Sequence, residues 1–316
     1  MAKNPSGDRP LAQPAWSANT RLEVQEYLVA RRNWNRWGQD DEVGAINLIS
    51  AEKRIQAAGL VQSGRIVSLS RDIPKTPGPA NPEPAQHFMR THYRTDHGIA
   101  ADYYGLIFHG FQTTHLDALC HIWDEDGMWG GRDPRDRLTS QGSTWAGVEQ
   151  WRNGIVTRGV LLDVPSFRGT PFVDLDQPVR GDELESICRL FGLELTPGDA
   201  LAVYCGRERF EAANPTWRPH VDPRPGLDAS CLAFLRERDI AVLCWDQLDA
   251  IPDANGMPWS VHAAIPAFGI ALVDNCKLQP LAEACAAAER YEFMLTIAPL
   301  PVRGGTGSPV NPLALL

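Results

Sequence analysis

The sequence has no run approaching the roughly 20 consecutive apolar residues that a bilayer span requires. That excludes a membrane-spanning helix. It has no basic stripe either. Thirty Lys and Arg stand against 39 Asp and Glu, for a formal net charge of -9. Phosphate neutralisation supplies most of the affinity for nucleic acid, so nucleic acid is excluded as a partner. Anionic membrane surfaces are excluded on the same ground. The N-terminus, MAKNPSGDRPLAQPAW, lacks an apolar core segment and does not read as a secretory signal. There is no CxxC pair. The seven cysteines (120, 188, 205, 231, 244, 276 and 285) are scattered among apolar neighbours and odd in number. They read as buried, reduced thiols of a cytoplasmic protein. No GxSxG elbow, GxxxxGK[ST] phosphate loop or GxGxxG turn after a strand is present. These absences remove a serine α/β-hydrolase mechanism and nucleotide binding.

What is present is ordinary globular usage, with 43% hydrophobic and 22% charged residues over 316 positions. That is long enough for a sizeable core. Residues 1–35 read as a loose arm followed by a helix from Thr20 to about Trp34. Residues 36–316 show no internal repeat and no linker, and read as one domain. Ser50 is placed to cap a helix through Leu60. Five prolines within 74–86 mark a loop. Strands are expected over 65–70, 104–111, 153–165, 200–204, 240–245, 269–273 and 291–297. Helices are expected over 182–191, 227–238 and 281–290. This alternation of apolar strands and helices predicts a mixed α/β sheet with flanking helices.

The most informative segment is FHGFQTTHLDALCHIW, which places His109, His115, Asp117 and His121 within thirteen positions. In a strand, His115 and Asp117 face the same way, and an imidazole beside a carboxylate suits Zn or Mn. His121, after a turn, can face the same place as a proton carrier. Cys120 reads as a packed thiol rather than a nucleophile. In a second cluster, SVHAAIPAFGIALVDN, His262 precedes a short helical or turn segment. There Ile270, Leu272 and Asp274 share one strand face, so the carboxylate emerges at the strand end. Capping a helix begun near Leu278 is the bland reading of Asp274. A third feature, RGGTGSPVN over 303–311, is backbone-rich and suited to presenting N–H groups to a carbonyl oxygen or an anion. Trp123, Trp129 and Tyr104 point to a flat or cyclic substrate.

Together these motifs resemble the cyclase family of metal hydrolases, the group of kynurenine formamidase and isatin hydrolase. The string Thr114-His115-x-Asp117-x-x-x-His121 matches the later part of the family's ligand motif. His262 and Asp274 match a downstream His and acid twelve positions apart, with Asp in place of Glu. Trp37-Gly38, Asp41-Glu42 and Gly44-Ala45-x-Asn47-Leu48 resemble an N-terminal signature. Arg158 to Asp163 resemble a central strand, and Gly304 to Pro309 a C-terminal loop. The resemblance implies a swivelling β/β/α fold and a divalent metal, Zn or Mn. It implies metal ligation by His115, Asp117, His262 and Asp274, and a catalytic His121. Phe111, Trp123, Thr306 and Ser308 are the candidate contacts to a small-molecule substrate carrying an amide, lactam, imide or lactone carbonyl. A homodimer or homotetramer is implied as well. One departure stands out. The family's first ligand lies four residues before His115, where this chain has Phe111. In a regular strand, His109 would sit about 20 Å from His115, so sharing an ion would need a bulge or bend. Phe111 therefore keeps open a metal-free cyclase or dehydratase using His121 and Asp117, and a non-catalytic small-molecule binder stands as a further alternative.

Overall fold

The computed structural model describes residues 16–18, 20–257 and 259–316. Of the arm expected at 1–18, residues 1–15 lie outside the described residues. Nine strands form one mixed sheet. From edge to edge they are Ile66–Ser68, Leu313–Leu315, Glu292–Ile297, Ile155–Asp163, Ala200–Tyr204, Val242–Trp245, Ala271–Asp274, His115–Asp117 and Gly307–Pro309. The four strands from Ile155–Asp163 to Ala271–Asp274 are mutually parallel, and both flanks of the sheet are antiparallel. Ala200–Tyr204, Val242–Trp245 and Ala271–Asp274 are buried at every position. That is the pattern of parallel strands covered on both faces. Helices Gly181–Phe191 and Cys231–Glu237 pack against each other beside the sheet. This is the mixed α/β architecture with flanking helices that the sequence predicts.

Local chemistry starts the elements where the sequence places them. Thr20 and Glu23 form a capping box on helix Arg21–Arg31, and Ser50 accepts from Lys53 N at the start of Ala51–Ala58. The N-terminal signature has a mechanical meaning. Asp41 accepts hydrogen bonds from Gly44 N at 2.8 Å and Asn47 Nδ2 at 2.6 Å, and Glu42 accepts from Ala146 N at 2.7 Å. Gly44 and Gly269 face each other, with φ of 67° and 71°. A Cβ on Gly44 would fall 2.5 Å from Gly269 O, and one on Gly269 would fall 2.9 Å from Gly44 Cα and the Trp129 ring. Only glycine fits both the left-handed backbone and this approach. The contact seats the 44–48 turn beneath the strand that ends in Asp274.

Two expectations need correction. Tyr104–Phe111 is not a strand. The strand is Gly98–Gly105, paired with Gln86–Tyr93 in a separate hairpin, and 106–114 runs irregularly. The hairpin is exposed on nearly every side chain of both strands, so it lacks the half-buried alternation by which strands are read from sequence. The helix expected over 227–238 is only Cys231–Glu237. Leu227 instead donates to Leu248 O and accepts from Ala250 N, both at 3.0 Å. All seven cysteines are free and buried. No helix among the described residues is long and apolar enough to cross a membrane.

Substituting Gly269→Ala should destabilise the protein by about 2 kcal/mol or more. Gly169→Ala is the control: it shares the left-handed backbone, but a Cβ there meets nothing within 4 Å. Urea unfolding should rank Gly269→Ala clearly below Gly169→Ala; equal midpoints would contradict the backbone-contact explanation.

Candidate metal centre

The centre forms where the short strand His115–Asp117 lies between Ala271–Asp274 and Gly307–Pro309. The antiparallel register sets Asp274 opposite His115 and Leu272 opposite Asp117. His115 Nε2 lies 3.3 Å from Asp117 Oδ1 and 4.0 Å from Asp274 Oδ2. His262, just before helix Ala264–Phe268, brings its Nε2 to 3.2 Å from Asp274 Oδ2 and 3.9 Å from Asp117 Oδ2. The two sequence clusters thus meet. Asp274 does not cap the helix Gln279–Ala288, which begins after Leu278 with no side-chain cap.

His109 also reaches the centre. Its Nδ1 is 3.0 Å from Asp117 Oδ1, and its ring centroid is 5.0 Å from that of His115. The separation of about 20 Å expected of a regular strand does not arise, because 106–114 bends instead of extending. Phe111 stays outside the cluster. Its ring packs under the Arg224 guanidinium at 4.4 Å and edge-on to His220 at 4.8 Å.

Each of the three imidazoles is anchored on its outer nitrogen. His115 Nδ1 is 2.8 Å from Thr113 O, His262 Nδ1 is 2.5 Å from Asp249 Oδ2, and His109 Nε2 is 3.0 Å from Thr306 Oγ1. The inner nitrogens all face Asp117. Outer partners of this kind fix ring orientation and tautomer. Trp245 Nε1 donates to Asp274 Oδ1 at 2.5 Å, which leaves Oδ2 for the centre. Asp117 is fully buried, and neither of its oxygens takes a hydrogen bond among the described residues. A carboxylate so placed requires nearby positive charge. Imidazole nitrogens and carboxylate oxygens form two groups whose donor atoms lie within 4.8 Å of one another. One is His109, His115 and Asp117; the other is Asp117, His262 and Asp274. Their chemistry fits a divalent cation.

The electrostatics agree. Burial works against a charged His115, but Asp117 and Asp274 outweigh it and raise its pKa. His262 is raised further: burial is again opposed, here by Asp249 and Asp274. Burial pushes Asp117 up, yet His121, His115 and His109 hold it well below the usual carboxylate range. His121 stacks on His109 with centroids 3.7 Å apart, its Nε2 3.9 Å from Asp117 Oδ1. Burial lowers its pKa to about 4; Asp117 pulls the other way, while His109, His262 and His115 add to the fall. His121 is therefore neutral at pH 7 and able to accept a proton.

The remaining sequence candidates separate. Thr306 contacts His109 directly. Ser308 is buried and commits its hydroxyl to Leu300 N and Pro309 O. Trp123 is half-exposed and lines a cavity of about 160 Å³ with Leu28, Met257 and Trp259. Trp129 and Tyr104 do not join the centre. Trp129 is buried with Nε1 on Asp41 O, and Tyr104 stacks on His87 in the hairpin. Burial pushes the Cys120 thiol up to about 11, consistent with a packed thiol. Asp249 and Trp245 were not identified from the sequence, because neither lies in a motif with the groups it orients.

The Cyclase family model matches residues 67–250. The crystal structure of a novel cyclase is 26% identical and superposes with a TM-score of 0.80, covering 92% of this chain and 99% of that one. An isatin hydrolase bound to the product analogue thioisatinate is 17% identical with a TM-score of 0.55, over 84% and 99% of the two chains. Isatin hydrolase A from Ralstonia solanacearum is 19% identical with a TM-score of 0.52, over 82% and 95%. The last two share the fold. No curated protein matches the chain.

The depressed pKa of His121 makes a pH prediction for chelator-treated protein. Above the ordinary value of 6.5, folded and unfolded chains both leave this ring neutral. As the pH falls from 6.5 toward 4, the unfolded chain takes the proton first, so stability is lost through that window. Thermal melts should show wild type losing more stability between pH 7 and 4 than His121→Gln does; parallel curves would contradict the assignment.

Proposed function

The chain belongs to the Cyclase family, whose model matches more than half of it, and from that premise we propose that it is a metal-dependent hydrolase. Its substrate class is a small cyclic or aromatic molecule with an amide, lactam, imide or lactone carbonyl. One observation carries the reading: the buried carboxylate of Asp117 takes no hydrogen bond among the described residues, yet is ringed by inward-facing nitrogens of His109, His115 and His262. His109, His115 and Asp117 are the candidate ligands of one ion. His262 and Asp274, with Asp117 shared, complete that shell or hold a second ion. A divalent ion there, Zn or Mn, supplies Lewis acidity toward a carbonyl oxygen and acidifies water at neutral pH.

The chain's own groups supply the proton handling and orientation. His121 is partly exposed, neutral at pH 7 and beside Asp117, so it takes a proton from the attacking water and returns it to the leaving nitrogen or oxygen. Thr306 and Asp249 hold the His109 and His262 rings in place. Trp259, its ring centroid 5.5 Å from that of His262, and Trp123, which shares a cavity with it, offer aromatic walls for a flat ring. The fold shared with two isatin hydrolases supports a ring carbonyl as the substrate class. The metal-free alternative rested on Phe111; the approach of His109 Nδ1 to Asp117 Oδ1, at 3.0 Å, supports the metal-dependent reading over it. Assembly into a homodimer or homotetramer is part of the same proposal. It is supported by the hairpin, whose Phe88, Met89, Tyr93, Ile99, Tyr103 and Tyr104 are all exposed.

On a panel of lactams, imides and aryl amides, His121→Ala should lower kcat by roughly 10²- to 10⁴-fold at unchanged metal content. Turnover that survives the substitution would remove His121 from the proton pathway. Dialysis against a chelator should abolish turnover, and Zn or Mn should restore it; full activity after dialysis would exclude metal dependence. Light scattering should give a multiple of the 34.9 kDa chain mass, and a monomer would refute the assembly.

A further inference from the structure

The departure at Phe111 raises a structural question that the centre itself does not answer: what bends 106–114 so that His109, two positions earlier, faces Asp117? The segment joins no strand, and two buried side chains from elsewhere in the chain hold its carbonyls. Asn275 Nδ2 donates to Gly110 O at 2.7 Å and to Thr113 O at 3.1 Å. Arg207 Nη2 donates to Phe111 O. The two are joined, since Arg207 Nη1 donates to Asn275 Oδ1 at 2.6 Å. Arg207 is fixed on its other side by Glu211, with Nε 2.8 Å from Oε1, and by Asp246 O. Asn275 itself sits in the left-handed region, at φ 55°, directly after Asp274. Its own carbonyl accepts from Thr114 Oγ1 at 2.7 Å. Arg207 is 1% exposed and Asn275 is 0% exposed.

Three carbonyls of one irregular segment thus end on one connected pair of side chains. Buried carbonyls outside regular structure need such partners, and the partners dictate the path. The link to the centre is direct. Thr113 O receives both Asn275 Nδ2 and His115 Nδ1, so the same carbonyl shapes the bend and orients the next imidazole. Holding Phe111 O by Arg207, with the Phe111 ring against Arg224 and His220, turns residue 111 away and leaves His109 pointing inward.

We propose that Arg207 and Asn275 are positioning residues that act through His109, bending 106–114 so that His109 replaces position 111 in the metal shell and thereby setting metal affinity. This rests on the metal-centre reading above. Full-length, chelator-stripped protein is titrated with Zn²⁺ in competition with a chromophoric chelator, for wild type, Asn275→Gly, His109→Ala and the double variant. Glycine keeps the left-handed backbone at 275 while removing the clamp. Asn275→Gly should bind Zn²⁺ roughly 10- to 100-fold more weakly than wild type. The double variant should lose clearly less than the sum of the two single losses, because both changes act on the contact that His109 makes. A merely structural Asn275 would lower the melting temperature and leave affinity unchanged. Should Asn275→Gly not fold, Arg207→Lys takes its place in the same cycle, keeping a cation but losing the fork that reaches both Phe111 O and Asn275. Unchanged affinity, or losses that add in full in the double variant, would overturn the clamp while leaving the metal reading intact. Wild type that binds no Zn²⁺ or Mn²⁺ would overturn both.

Discussion

An ionised carboxylate in a dry interior is stable only if positive charge or hydrogen-bond donors surround it, and Asp117 has inward-facing imidazoles where other buried acids have donors. Asp199, by contrast, is equally buried but receives Arg158 and the Thr196 backbone, and Asp246 receives backbone N–H groups from Cys205, Gly206, Arg207 and Gln247. Those two acids are structural anchors with their valences filled. Asp117 is the exception, and the chain surrounds it with rings whose outer nitrogens are already committed to Thr113, Asp249 and Thr306. The arrangement concentrates unsatisfied ligand capacity at one point.

The sheet makes that concentration possible. Parallel strands in its middle form a rigid, fully buried base, and the antiparallel strand His115–Asp117 is laid against the last of them. Cross-strand register then sets Asp274 opposite His115 without any contribution from loops. Loops supply the groups that complete the centre: the bent 106–114 segment brings His109, and the turn after Asp117 brings His121. A rigid carboxylate pair, imidazoles held on their outer nitrogens and a partly exposed His121 beside them make a sound division of labour for a site that must hold charge and still move a proton.

Much of this was legible in sequence, for identifiable reasons. Continuous apolar runs such as ALAVY and VLCW are too short for a buried helix and read as covered strands, so the middle of the sheet was readable. Period two placed His115 and Asp117 on one face, and the twelve-residue spacing tied His262 to Asp274 through family resemblance. His109 was readable only as a possible ligand that a bulge or bend would have to bring in. Its position depends on Arg207 and Asn275, which lie far along the chain and belong to no motif, and a strand reading of 104–111 put it out of reach. The hairpin at 86–105 escaped because exposure on both faces erases alternation. Asp249 and Trp245 escaped because an orienting contact leaves no local pattern.

The most direct measurement concerns Asp117 itself. Calorimetric titration of Zn²⁺ into chelator-stripped wild type, beside the isosteric Asp117→Asn, separates a metal centre from a cluster of histidines and acids that merely satisfies itself. If Asp117 is the shared ligand, wild type binds tightly with release of protons from His115 and His262, and Asp117→Asn loses binding while remaining folded. Equal binding by the two proteins, or none by either, would contradict it.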